Sequence, residues 1–138
     1  MAVNSDFPTR GILDTSIFIA SETGRSLDSS QLPDQSLVTV ITATELESGL
    51  HCAPDIKTRT KRLITYQSVM QLELLPVDRQ ATHQWAMLRA GVAKAKRRVN
   101  INDLWIAAIA LANQLPVFTQ DDDFDALIDI GGPEVVRL

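Results

Sequence analysis

The sequence predicts an α/β fold built on a mainly parallel central sheet, and three observations carry that reading. Short apolar runs at Gly11-Ile12-Leu13, Leu37–Ile41 and Pro116–Thr119 alternate with longer helical stretches, the pattern of strand–helix–strand units. Leu37–Ile41 is nearly all apolar and rich in β-branched residues, which suits a strand covered on both faces. Leu104–Leu111 is apolar almost all round, with Ala107, Ala108 and Ala110 among its larger residues, so its helix belongs in the interior. Right-handed crossovers and a reversal of strand order would put helices on both faces of the sheet.

Taken in order, Met1–Thr9 reads as a loose end. Gly11-Ile12-Leu13 forms a strand that stops at Asp14, and Thr15-Ser16 leads into a short helix over Ile17–Ala20 that ends near Gly24. Ser26–Gln35 is polar, contains Pro33 and reads as a loop. After the strand Leu37–Ile41, Thr42 and Glu45 have the spacing of a capping box, and their helix runs to about Cys52. Pro54 fits the first turn of the next helix, with Asp55 at its positive end. Ile56, Leu63, Ile64, Val69 and Met70 roughly define that helix's apolar face. Leu72–Val77 is a short strand interrupted by Pro76. Arg79–Arg98 is the clearest amphipathic helix, since Ala81, Trp85, Leu88, Val92 and Ala95 recur at steps of four and three. The buried helix turns at Asn113-Gln114 into the strand Pro116–Thr119. A short helix over Phe124–Ile130 is broken by Gly131-Gly132-Pro133, and Glu134–Leu138 supplies a last strand.

The chain of 138 residues suits one domain, residues 1–138, with a real core. Its net charge of −4 argues against coating nucleic acid by bulk charge, while leaving room for local basic patches. A single cysteine, Cys52, rules out an intramolecular disulfide. No apolar run is long enough to span a membrane and the N-terminus lacks a signal-peptide pattern, so a cytoplasmic protein is expected.

Carboxylates fall at element boundaries. Asp14 ends the first strand, Glu45 follows the second, Asp103 opens the buried helix, and Asp121-Asp122-Asp123 follows the strand Pro116–Thr119. Each has an ordinary explanation when taken singly: a helix cap, a capping box, a favourable helix dipole, a solvated turn. Together they point elsewhere, because open α/β sheets build sites outside the carboxyl ends of their strands. Carboxylates brought close repel, and without a cation some would hold protons. Oxygen ligands select Mg²⁺ or Mn²⁺ over Zn²⁺. With only His51, His83 and Cys52 there is no zinc cluster; His51 and Cys52 read as packing residues and His83 as a surface residue.

Four segments resemble the motifs of PIN-domain ribonucleases: Ile12-Leu13-Asp14-Thr15-Ser16, Thr42-x-x-Glu45-Leu46, Asn102-Asp103 at the Ala- and Ile-rich helix, and Thr119-Gln120-Asp121-Asp122-Asp123-Phe124. Size and motif order are similar to those of the VapC-type toxins of bacterial toxin–antitoxin pairs. The resemblance implies a PIN-domain-like α/β/α sandwich and Mg²⁺-dependent RNA endonuclease activity, with Mn²⁺ as a possible substitute. It implies Asp14, Glu45, Asp103 and Asp121 as catalytic, metal-binding acids, and Thr15, Ser16 and Thr119 as supporting hydroxyls. Asp123 is a further supporting acid, with Asp121 preferred as the ligand. The implied products carry a 5′-phosphate and a 3′-hydroxyl. The implied partners are a VapB-type antitoxin that covers the acidic site and a second copy of the chain in a homodimer.

Eight of the 13 lysines and arginines lie in two clusters, Lys57, Arg59, Lys61 and Arg62, then Lys94, Lys96, Arg97 and Arg98. The second cluster is the candidate RNA guide. Competing readings are a non-catalytic Mg²⁺-binding signalling module and a DNA-directed PIN-like nuclease. An aspartyl phosphatase would want a second acid where Ser16 stands, and no glycine-rich phosphate loop is present.

Overall fold

The computed structural model describes residues 7–138. The strands are β1 (Arg10–Leu13), β2 (Gln35–Thr39), β3 (Glu73–Leu75), β4 (Val117–Thr119) and β5 (Val135–Arg137). The helices are α1 (Thr15–Thr23), α2 (Val40–His51), α3 (Ile56–Val69), α4 (Arg79–Lys94) and α5 (Ile101–Ala112). The strands form one sheet in the order β3-β2-β1-β4-β5, every pairing parallel. Successive side chains of a strand face opposite ways, so the two apolar sets segregate. Ile12, Leu37, Leu75 and Val117 face α4 and α5 in the largest core. Leu13 and Phe118 face α1, and Val38 packs with Leu46 of α2 and Val69 of α3. Both faces are therefore covered, which is why the strands lack polar alternation. The order also reverses between β1 and β4, and that junction positions the site.

α5 is the buried helix that its composition demands: Leu104 and Ile106 through Ala110 are all buried. α4 lies along it, with Trp85 stacked on Trp105 at 5.0 Å between ring centres. Gly11 is required by a close approach, because a Cβ there would overlap the Phe118 ring.

Several local expectations are corrected. β2 ends at Thr39, and Thr39 is the N-cap of α2, its hydroxyl accepting from the Thr42 N–H at 3.2 Å. Thr42 and Glu45 thus form no capping box; both lie inside the helix, free for other work. The apolar run misled because Val40 and Ile41 are β-branched yet already helical. Pro54 precedes α3, whose N-cap is Asp55. Only Val69 of the expected α3 face is buried, while Ile56, Leu63, Ile64 and Met70 are exposed. α4 stops at Lys94, with Lys96 at φ 55 turning the chain toward α5. Of the expected loose end, residues 1–6 lie outside the described residues, but Phe7 packs edge-on against Phe118 and Thr9 accepts from the Gln35 N–H. His51 and Cys52 are exposed rather than packed.

Candidate active site

β1 and β4 are adjacent and parallel, so the segments leaving their carboxyl ends emerge side by side where the strand order reverses. Asp14 leaves β1 with its N–H bonded to the Phe118 carbonyl at 2.9 Å. It is 4% exposed and is the N-cap of α1, accepting from the Ser16 N–H. A nearly buried carboxylate needs strong donors, and Thr119, at the end of β4, donates its hydroxyl to Asp14 Oδ2 at 2.9 Å.

A hydroxyl carries one proton and accepts twice, which fixes the direction of this network. Thr119 gives its proton to Asp14, so the Ser16 hydroxyl, 3.2 Å away, donates to Thr119 Oγ1. The Asp121 N–H also donates to Thr119 Oγ1, and the Gln120 N–H donates to Ser16 Oγ, each at 3.0 Å. Thr119 is thereby saturated, and the loop carrying Asp121 is tied to the start of α1. A second hydroxyl pair holds Glu45. Thr15 donates to Glu45 Oε1 at 2.8 Å, and so accepts from Thr42, whose hydroxyl is 3.0 Å away.

Asp14, Glu45, Asp103, Asp121 and Asp123 line one cavity of about 280 Å³ together with Thr15 and Ser16. The four acids expected to converge do so, and Asp123 joins them. Asp103, in the first turn of α5, has its carboxyl pushed up from 3.8 to about 7. Burial is the largest cause, followed by the charges of Asp14, Asp123, Glu45 and Asp121. Asp123 stands ahead of Asp121 among the charges that raise Asp103. Asp123 is itself raised, by desolvation at the cavity rim and then by Asp121, Asp122 and Asp14. Among the described residues, no three of these acids close into a ready-made ion cage. The donor set is oxygen only, which fits a hard cation that keeps several of its waters and takes few direct carboxylates.

Reasoning from the sequence missed three residues of this neighbourhood. Thr42 has the spacing of a cap residue and is hidden by it. Asn100 lines the cavity and is the N-cap of α5, accepting from the Asn102 N–H at 2.8 Å. Arg25 also lines the cavity, and nothing in the pattern after Gly24 announces it. In the basic cluster, Arg97 is engaged elsewhere: its guanidinium forks onto Asp129 and holds that carboxyl at about 2. Lys94, Lys96 and Arg98 are exposed and have no carboxylate partner among the described residues.

This sequence and this fold are matched by known proteins. Residues 11–129 match the PIN domain, and the chain belongs to the PIN-domain family. It is 49% identical over 134 residues to ribonuclease VapC5 of Mycobacterium tuberculosis (strain ATCC 25618 / H37Rv), covering 97% of this chain and 99% of that protein. Ribonuclease VapC4 of the same strain is 37% identical, with 94% and 97% covered. A crystal structure of VapBC-5, a member of the VapBC family of toxin–antitoxin systems from M. tuberculosis, superposes with a TM-score of 0.88 at 47% identity, covering 95% of this chain and all of that one. Within its family the chain groups with the VapC-type toxins.

Proposed function

We propose that this chain, acting as a single PIN-like domain over residues 1–138, is a Mg²⁺-dependent endoribonuclease restrained by a VapB-type antitoxin. One observation carries the reading: five carboxylates from four separate segments line one cavity at the switch point of the sheet, and Asp103 among them is raised to about 7. Such crowding has no use in a core and invites a divalent cation. Asp14, Glu45, Asp103 and Asp121 are the residues that would hold Mg²⁺ or Mn²⁺, with Asp123 at the rim. A cation bound there would lower the pKa of a coordinated water and neutralise charge growing on the phosphate oxygens.

The chain's own part is positioning. Thr119 fixes the rotamer of Asp14, Thr15 fixes Glu45, and the Ser16–Gln120 bond holds the Asp121 loop over the sheet edge. Asp103 must give up its proton before it can act as a ligand, so binding of the cation to the empty site should weaken as pH falls below about 7. No side-chain nucleophile is required. The VapB-type partner is supported by the toxin–antitoxin nature of the matched VapBC-5 structure. Exposed Ile56, Leu63 and Ile64 on α3 offer apolar surface suited to contact with that partner or with a second copy in a homodimer. A cytoplasmic setting belongs to the same proposal. Among the described residues, no helix is long and apolar enough to cross a membrane.

The test is digestion of total bacterial RNA with Mg²⁺ or Mn²⁺ by the purified chain, beside Asp14→Asn and Asp103→Asn, followed by mapping of the cut ends. Discrete metal-dependent cuts carrying 5′-phosphates are expected from the wild type alone. Equal cutting by all three proteins would refute the site. Failure of folded, antitoxin-free wild type to cut any of a full RNA panel would refute the nuclease reading.

A further inference from the structure

Arg25 is a cation on the wall of a cavity otherwise dominated by carboxylates. Its backbone is tightly held. α1 ends in the left-handed residue Gly24, φ 75, and the Arg25 N–H caps the helix by donating to the Ala20 carbonyl at 2.9 Å. The next carbonyl, that of Ser26, accepts from the Gln120 side chain at 3.1 Å. Gln120 therefore ties this turn to the same loop that carries Asp121 and Asp123. Arg25 is exposed. Among the described residues the ion pairs are Arg97–Asp129 and Arg137–Asp125, so Arg25 is spent on none of the cavity's acids.

An arginine meant to neutralise those acids would be paired with one of them. This one is held beside them with its fork free. A polynucleotide threading into the cavity meets five carboxylates, and only the phosphate at the reacting centre would be compensated by a bound cation. The phosphates on either side need another partner, and a guanidinium fork matches two phosphate oxygens at once. We infer that Arg25 grips the RNA phosphate adjoining the scissile one and so holds the strand across the mouth of the acidic cavity. The inference deepens the nuclease reading and rests on it.

The test compares wild type, Arg25→Gln and Arg25→Lys on an RNA oligonucleotide spanning a cleavage site mapped in the total-RNA digestion. Single-turnover cleavage is titrated with enzyme at several salt concentrations, and Mn²⁺ affinity is measured separately by calorimetry without RNA. Arg25→Gln is expected to raise the half-saturating concentration about tenfold, the scale of a lost hydrogen bond to a charged group. Its salt dependence should become shallower by about 0.7, the share of one single-strand phosphate contact. Mn²⁺ affinity should stay the same or tighten, because a nearby positive charge is gone. Arg25→Lys should keep the salt dependence and recover only part of the affinity. Unchanged half-saturation in Arg25→Gln would overturn the inference. So would weakened Mn²⁺ binding, which would make Arg25 a prop for the acids. Wild type that neither binds nor cuts RNA would overturn the nuclease reading and this inference with it.

Discussion

Replacing Asp103 by Asn should make the protein more stable at neutral pH while abolishing cleavage. The folded chain raises this carboxyl from 3.8 to about 7, through burial and then four neighbouring acids. Between about pH 4 and pH 7 the folded chain therefore holds a proton that the unfolded chain has released. Stability falls as pH rises through this window, and the whole loss is present above pH 7. A carboxyl moved that far corresponds to about 4 kcal/mol at full strength. Asp103 is only half-buried, and solvent screening reduces the figure to about 2 kcal/mol. For a chain of 138 residues this is about 7 °C in Tm. The assay is denaturant unfolding of wild type and Asp103→Asn with EDTA at steps from pH 4 to pH 8. The curves should coincide near pH 4 and separate by about 2 kcal/mol above pH 7, with the variant more stable. Added Mn²⁺ should then stabilise the wild type more than the variant, because a ligand that binds only the folded state shifts the equilibrium by mass action. Parallel pH profiles for the two proteins would refute the claim that crowded carboxylates raise Asp103.

The remaining predictions concern the frame of the site. Thr119→Val removes the donor to the nearly buried Asp14 and the acceptor of the Asp121 N–H, and should cost about 2–3 kcal/mol in urea unfolding. Gly11→Ala drives a methyl into the Phe118 ring between β1 and β4, and should cost about 1–3 kcal/mol in the same assay. Gln replacement of Lys94, Lys96 and Arg98 together should weaken RNA binding and flatten its salt dependence. Arg97→Gln alone should do so less, because Arg97 already serves Asp129; filter binding across a salt series would separate the two. Cleavage should stop with EDTA and return with Mg²⁺ or Mn²⁺, a gel assay that fails if cutting persists in chelator.

The order of elements, the parallel α/β class, the buried α5 and the four acidic segments are legible in the amino-acid sequence. These follow from local periodicity and composition, which need no partner to be read: Leu104–Leu111 is apolar on every side, and only an interior position accommodates it. The expectations that failed did so where a local pattern admitted two outcomes. Thr42 and Glu45 have the spacing of a cap, but Thr39 took that role and left both facing Thr15 across the site. α3 offers apolar residues, yet of the expected face its neighbours bury only Val69. Tertiary structure alone decided that Thr119 serves Asp14 across a separation of 105 residues, that Asp123 shares the cavity, that Arg25 turns back to line it and that Asp103 is raised to about 7. The physical reason is range. Helix and strand preferences act between neighbours in the chain, whereas desolvation, Coulomb repulsion and hydroxyl hydrogen bonds depend on distances in space, which exist only once β1 and β4 pair and bring their acidic ends together.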